Sequence, residues 1–102
     1  MSLLQLESFV AVAEEAHVGR AARRLNVSQP PLSRRIHALE EELGVTLFER
    51  TSRGMTLRPE GVALLPRARE ILDQVERVRR FAFELSGQAA DPPRPGPDPA
   101  RR

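Results

Sequence analysis

The chain has 102 residues, room for one small domain. It contains no cysteine, which excludes disulfides and thiolate metal sites, and only His17 and His37 offer imidazoles. No apolar run approaches the roughly 20 residues needed to cross a bilayer, and no signal-peptide pattern opens the chain, so a cytoplasmic protein without a membrane partner is expected.

Formal net charge is only +2, and all 16 basic residues are Arg. With no Lys, Tyr or Cys to titrate above neutrality, the isoelectric point overstates how basic the chain is, and composition alone does not announce a nucleic-acid binder. Distribution says more. Between Glu15 and Glu40 stand Arg20, Arg23, Arg24, Arg34 and Arg35 with no acid, and from Arg50 to Arg58 three Arg again stand without one. Glu40, Glu41, Glu42 and Glu49 lie between these stretches. Such segregation suits one anion-facing side and one solvated side; an ordinary mixed-charge surface is the alternative.

Ser2 with Gln5 three positions later fits a capping box opening a first helix. Leu6, Phe9, Val10 and Ala13 recur there at helical spacing and are expected to face the core. The helix is predicted to end near Ala16, where His17-Val18-Gly19 breaks the pattern. A short second helix follows with Ala21, Ala22 and Leu25 inward. Asn26-Val27-Ser28 reads as the turn, with Asn26 tolerating unusual backbone angles, Val27 plugging the core and Ser28 as N-cap.

The third helix is predicted from about Gln29 to Leu43, with Leu32, Ile36, Leu39 and Leu43 forming one apolar stripe. Pro30 and Pro31 are tolerated because they fall in its first turn, and Gly44 is the natural C-cap. Thr46 to Arg58 reads as a β-hairpin, anchored by Leu47-Phe48, turning at Ser52-Arg53-Gly54 and returning through Met55-Thr56-Leu57.

Pro59 and Gly61 introduce a long last helix. In it Leu64, Ala68, Ile71, Val75, Val78, Ala82 and Leu85 alternate spacings of four and three, and Leu65 and Leu72 widen the stripe. A stripe of that length exceeds what three short helices could cover, so these nine residues are expected to dimerise; packing entirely within the chain is the alternative. Beyond Ser86-Gly87, the five prolines between Asp91 and Pro99 argue for an extended, disordered tail. The expected organisation is 1–58 as a helical domain with a hairpin, 59–86 as a linker and dimerisation helix, and 87–102 as a Pro/Arg-rich tail.

Two helices joined by a short turn, the second opening on a polar first turn, form a helix-turn-helix. Gln29, Pro30, Ser33, Arg34 and His37 lie opposite the apolar stripe. Arg pairs bidentately with guanine and Gln with adenine, proline rings press against thymine methyls, and the start of a helix favours phosphate. A merely solvated polar face is the plainer reading, and it yields to the hairpin that follows. A β-wing with Arg53 at its tip reaches backbone phosphates or a narrow minor groove.

The run Ala21-Ala22, Leu25, Val27-Ser28-Gln29-Pro30-Pro31-Leu32-Ser33-Arg34, Ile36, Leu39-Glu40, Leu43-Gly44, Leu47-Phe48 and Arg50 resembles the N-terminal signature of LysR-type transcriptional regulators. The Gln-Pro-Pro-Leu-Ser version is similar to members that control aromatic-compound catabolism. The resemblance covers about residues 3 to 86. It implies a mainly α fold with a small β-hairpin wing: a winged helix-turn-helix plus a long C-terminal linker helix that pairs two copies, placing two recognition helices on an interrupted dyad in double-stranded DNA. It implies base and backbone contacts at Gln29, Pro30, Pro31, Ser33 and Arg34 and wing contacts near Arg50, Ser52 and Arg53. Ser28 and His37 complete the expected DNA-facing set.

Three features depart from the family pattern. His17-Val18-Gly19 stands where the family has Ser-Phe-Thr, so a Ser/Thr cap and phosphate contact are expected to be missing. Arg58 replaces a Thr cap, and Pro66 inside the last helix is expected to remove one hydrogen bond and kink it. Family members also continue into a ligand-sensing domain, where this chain reads as a proline-rich tail. Its Ala, Pro, Arg and Gly are what GC-rich codons yield in any frame, which favours a natural truncation or shifted frame over an expressed fragment; no effector is expected in this chain.

A second reading is an interaction module that forms mixed dimers with full-length relatives through the last helix. An enzyme fits poorly, with no phosphate-cradling glycine loop, no nucleophile beside a base, and no clustered acid-base set. His17 reads as a loop or cap residue and His37 as a groove neighbour or solvated side chain. No metal or cofactor is expected.

Overall fold

The computed structural model describes residues 1–87. The expected tail falls almost wholly outside them. The order is α1 (Leu3–Glu15), α2 (Val18–Leu25), α3 (Gln29–Leu43), β1 (Phe48–Thr51), β2 (Gly54–Leu57) and α4 (Pro59–Leu85).

The capping box at α1 forms in both directions: Gln5 N–H donates to Ser2 Oγ at 3.1 Å, and Ser2 N–H to Gln5 Oε1 at 2.9 Å. The helix ends at Ala16, whose φ of 56° is left-handed. Its burial is wider than the expected stripe. Leu6, Ser8, Phe9, Val10, Ala11 and Val12 are all buried, and Ala13 is half-buried. The cause is position, since α1 packs against α2, α3, α4 and β2 and has little free side.

Asn26 takes the left-handed conformation expected of it, φ 59°, and closes α2, which buries Ala21 and Ala22 against the core. In α3 the buried residues are Leu32, Ile36 and Leu39, and Leu43 packs at the margin before Gly44 ends the helix. Leu47 and Phe48 carry the core into the hairpin, where the Phe48 ring meets Phe9 at 5.5 Å between centroids, tilted by 59°. Burying one such ring contributes roughly 1.5–3 kcal/mol.

Strands β1 and β2 are antiparallel, pairing Phe48 with Leu57 and Thr51 with Gly54. Gly54 therefore already belongs to the return strand, which shortens the loop to Ser52-Arg53. Two contacts fasten this wing to the helical body. Met55 N–H donates to the Ala16 carbonyl at 3.2 Å, and Glu40 Oε2 accepts from the N–H groups of Leu47 and Phe48 at 2.7 and 3.3 Å.

Helix α4 continues through Pro66 to Leu85 without interruption. Pro66 still withholds one backbone donor, but Pro66 and Val62 are both exposed, so the carbonyl left over is on a stretch open to water. The long stripe divides. Ala68 is 1% exposed, and Leu64, Leu65 and Leu72 pack beside it against the domain's own core. Farther along, Ile71, Val78 and Leu85 are exposed, as is Ala82, while Val75 is half-buried. Thus four of the nine residues expected at a dimer interface serve the domain itself, because α4 begins its course across α1.

Candidate nucleic-acid interface

The α3 stripe fixes which side chains face out. With Leu32, Ile36 and Leu39 inward, Gln29, Pro30, Arg34 and His37 are exposed and Pro31 and Ser33 half-buried. Arg50, Ser52 and Arg53 are exposed on the wing. None of the residues expected to meet DNA lies in the core.

Ser28 occupies the N-cap of α3 with extended backbone, φ −81° and ψ 166°, yet its hydroxyl makes no capping bond. The reason is covalent. A capping oxygen accepts from the second or third helical residue, and these are Pro30 and Pro31, which have no N–H. The first turn of α3 is accordingly poorer in anion-binding donors than an ordinary helix start. In exchange the Ser28 hydroxyl is uncommitted.

At α2 no Ser or Thr stands at the cap, and His17, read as a loop or cap residue, serves as the cap. His17 takes the N-cap with Nδ1 accepting from Arg20 N–H at 3.1 Å, replacing the missing hydroxyl. At α4 Arg58 provides no side-chain cap; its Nε lies 3.5 Å from Glu60 Oε1.

The arginines sort by partner. Arg24 Nη2 lies 2.8 Å from Glu14 Oε1, Arg20 Nη2 donates to the Glu15 carbonyl at 2.9 Å, and Arg69 contacts Glu14 at 2.8 Å. Two cations of the acid-free stretch thus turn toward the acids of α1, which the linear charge pattern did not reveal. These contacts have an electrostatic signature. The Arg69 hydrogen bond, with Arg24 beside it, holds the Glu14 carboxyl below its ordinary range, and Glu14 raises Arg24. By contrast, among the described residues no hydrogen bond or ion pair engages the side chains of Gln29, Arg34, His37, Arg50 or Arg53. Their donors and acceptors are left to solvent or a ligand.

Reasoning from sequence missed Glu40, which ties the entry of the wing to α3, and exposed Phe81 on the distal α4. Glu40 gave no local signal, being seven residues from its first partner. Phe81 lies just off the four-three spacing. Among the described residues no group of three or more His, Asp or Glu is placed to hold a metal, and no helix is long and apolar enough to span a membrane.

A helix-turn-helix whose second helix turns a polar face outward, followed by a two-stranded wing, defines the winged helix-turn-helix class. Residues 3–62 match the family described as "Bacterial regulatory helix-turn-helix protein, lysR family", and the chain belongs to that LysR family.

Among its relatives is the HTH-type transcriptional regulator TfdS of Cupriavidus pinatubonensis, 59% identical over 92 residues, covering 86% of this chain and 31% of TfdS. The chain thus spans about a third of the length of that curated relative. The fold matches the DNA-binding domain of CbnR solved with DNA, at TM-score 0.79 and 44% identity over 84% of this chain and 99% of that one. It also matches the BenM DNA-binding domain in complex with catB site 1 DNA, at TM-score 0.82 and 40% identity over 87% of this chain and 100% of that one.

Proposed function

We propose that two copies of this chain bind an interrupted dyad in double-stranded DNA and so regulate transcription from the cytoplasm. The carrying observation is the outward face of α3, where Gln29, Ser33 and Arg34 stand opposite a buried stripe and, among the described residues, no acid pairs with Arg34. Similarity to two DNA-binding domains solved on duplexes supports the same reading.

In this reading the Arg34 guanidinium pairs with a guanine edge and the Gln29 amide with adenine, each in the major groove. Pro30 and Pro31 offer apolar contact to thymine methyls. The free hydroxyls of Ser28 and Ser33 donate to phosphate or base, with His37 at the groove margin. Arg50, Ser52 and Arg53 bring the wing to the adjacent backbone or minor groove.

Pairing runs through the distal α4, where Val78 at 66%, Phe81 at 60% and Leu85 at 71% exposure leave an apolar face in water. The proximal Leu64, Leu65, Ala68 and Leu72 support that helix from below. A longer relative offering the same face is the alternative partner, giving mixed dimers. No small-molecule effector is assigned to these residues.

Selection from a random duplex pool at fixed salt tests the reading. A two-fold symmetric motif supports it, and an asymmetric single motif overturns the paired arrangement. Failure to enrich any motif overturns sequence-specific binding. Mixing with a longer relative and looking for mixed species separates the two pairing partners.

A further inference from the structure

Gly19 is buried although it has no side chain, and what covers it comes from two different elements. A Cβ built there would stand 2.8 Å from Cε1 and 3.2 Å from Nδ1 of His17, and 3.2 Å from Nε2 of Gln29. The first helical residue of α3 therefore brings its amide into a niche that exists because residue 19 is glycine. The imidazole that shares the niche is itself fixed, since its Nδ1 accepts the Arg20 N–H.

We propose that His17 and Gly19 are positioning residues for Gln29, holding its amide in the orientation it presents to a base and so setting preference at one position of the bound DNA. The inference rests on the reading of Gln29 as a base-contacting residue. Its physical content is conformational. A glutamine side chain on a helix surface samples several rotamers, and freezing them on binding opposes recognition. Here Gln29 Nε2 sits against the same niche at Gly19 that the His17 ring borders, which restricts that freedom beforehand. No hydrogen bond among the described residues occupies the Gln29 amide, so its donor and acceptor remain for the duplex.

Residues 17 and 19 act through Gln29 and need not touch a base. Filling the niche should therefore change which base is preferred more than how tightly DNA is held overall. A Cβ at residue 19 displaces the His17 ring or the Gln29 amide, so lost preference with an unchanged thermal midpoint would separate positioning from a structural role.

The test uses the full chain and a duplex selected by it from a random pool, with all single-base variants of that duplex. Gln29→Ala first identifies the position whose preference depends on the amide. At that position Gly19→Thr, Gly19→Ala and His17→Asn are each expected to reduce base preference by about fivefold or more. His17→Asn keeps a capping oxygen for Arg20 N–H but removes the ring, guarding against simple loss of the helix start. Preferences elsewhere in the site, the salt dependence and the thermal midpoint serve as controls.

If Gln29→Ala removes a preference that Gly19→Thr and His17→Asn retain, positioning is overturned while the reading of Gln29 stands. If Gln29→Ala leaves every preference unchanged, that reading itself fails and the inference with it. A uniform loss of affinity in the niche variants, with preferences intact, also overturns it.

Discussion

Glu14 and Arg69, fifty-five positions apart, meet in a two-point contact, with Arg69 Nε and Nη2 donating to the same carboxylate oxygen at 3.0 and 2.8 Å. The other oxygen of Glu14 faces Arg24 at 2.8 Å. One carboxylate thus joins α1, α2 and α4. Because all three side chains remain accessible to water, the contribution to stability is modest, about 0.5–1 kcal/mol. The carboxylate adds a polar tie to the apolar packing of α4 on α1.

The same contact sets a dependence on acidity. The Glu14 carboxyl is held below its ordinary range chiefly by the Arg69 hydrogen bond. Its contribution is therefore present above that ordinary range and is lost as pH falls through the lowered value. Glu14→Gln is expected to lower the thermal midpoint near neutrality. The difference from wild type should shrink as pH drops through and below the ordinary carboxylate range. Thermal denaturation across that range checks it; a difference that stays constant would contradict the assignment.

At the reading face, Arg34→Ala should weaken binding to the selected site by roughly 1–3 kcal/mol and relax preference at one position. Arg53→Ala should weaken all duplexes alike and reduce the slope of log affinity against log salt by about 1. Equilibrium titrations at several salt concentrations separate base reading from backbone attraction. Unchanged preference in Arg34→Ala would remove that residue from the recognition set.

Wing attachment is tested at Gly54. Its φ is 128°, and a Cβ there would stand 2.5 Å from the Ala16 carbonyl oxygen. Gly54→Ala is expected to cost about 1–3 kcal/mol in urea unfolding, through backbone strain and loss of the Met55-to-Ala16 hydrogen bond. Glu40→Ala should cost a similar amount by leaving two backbone donors at the wing entry without their acceptor. Stability equal to wild type in both variants would mean that the wing is held by other contacts.

Charge on the distal α4 provides a further check. Phe81→Glu together with Val78→Glu should shift sedimentation toward the monomer while leaving the fold intact, because both residues are exposed within the single chain. Ala68→Glu should instead unfold the domain, since Ala68 lies in its core. A monomeric wild-type chain would remove the premise of this comparison.

Much of the architecture was legible because local signals agreed with tertiary ones. Ser2 with Gln5, the left-handed Asn26, the start of α3 at Gln29 and its stop at Gly44 each combine a backbone requirement with a residue suited to it. What escaped depended on neighbours that only the packing of separate elements brings together. Arg20 and Arg24 looked free until α1 brought Glu14 and Glu15 beside them. The heptad spacing from Leu64 to Leu85 could not show where the domain's own core ends and open surface begins. The silent cap at Ser28 is different, because the prolines that deny it a donor stand two and three residues later. Two prolines in a first turn are compatible with the helix, and the same two withhold the N–H groups that the preceding serine would cap.

The continuity of α4 has a mechanical consequence. Its near end is embedded in the head that carries α3, and its far end bears the unclaimed apolar residues, with no loop between them. Torsion is then transmitted along a rod. One residue inserted beyond Leu72 would turn the far face by roughly 100° relative to the head and lengthen the arm by about 1.5 Å. Azimuth, far more than reach, is the quantity that such a strut keeps constant.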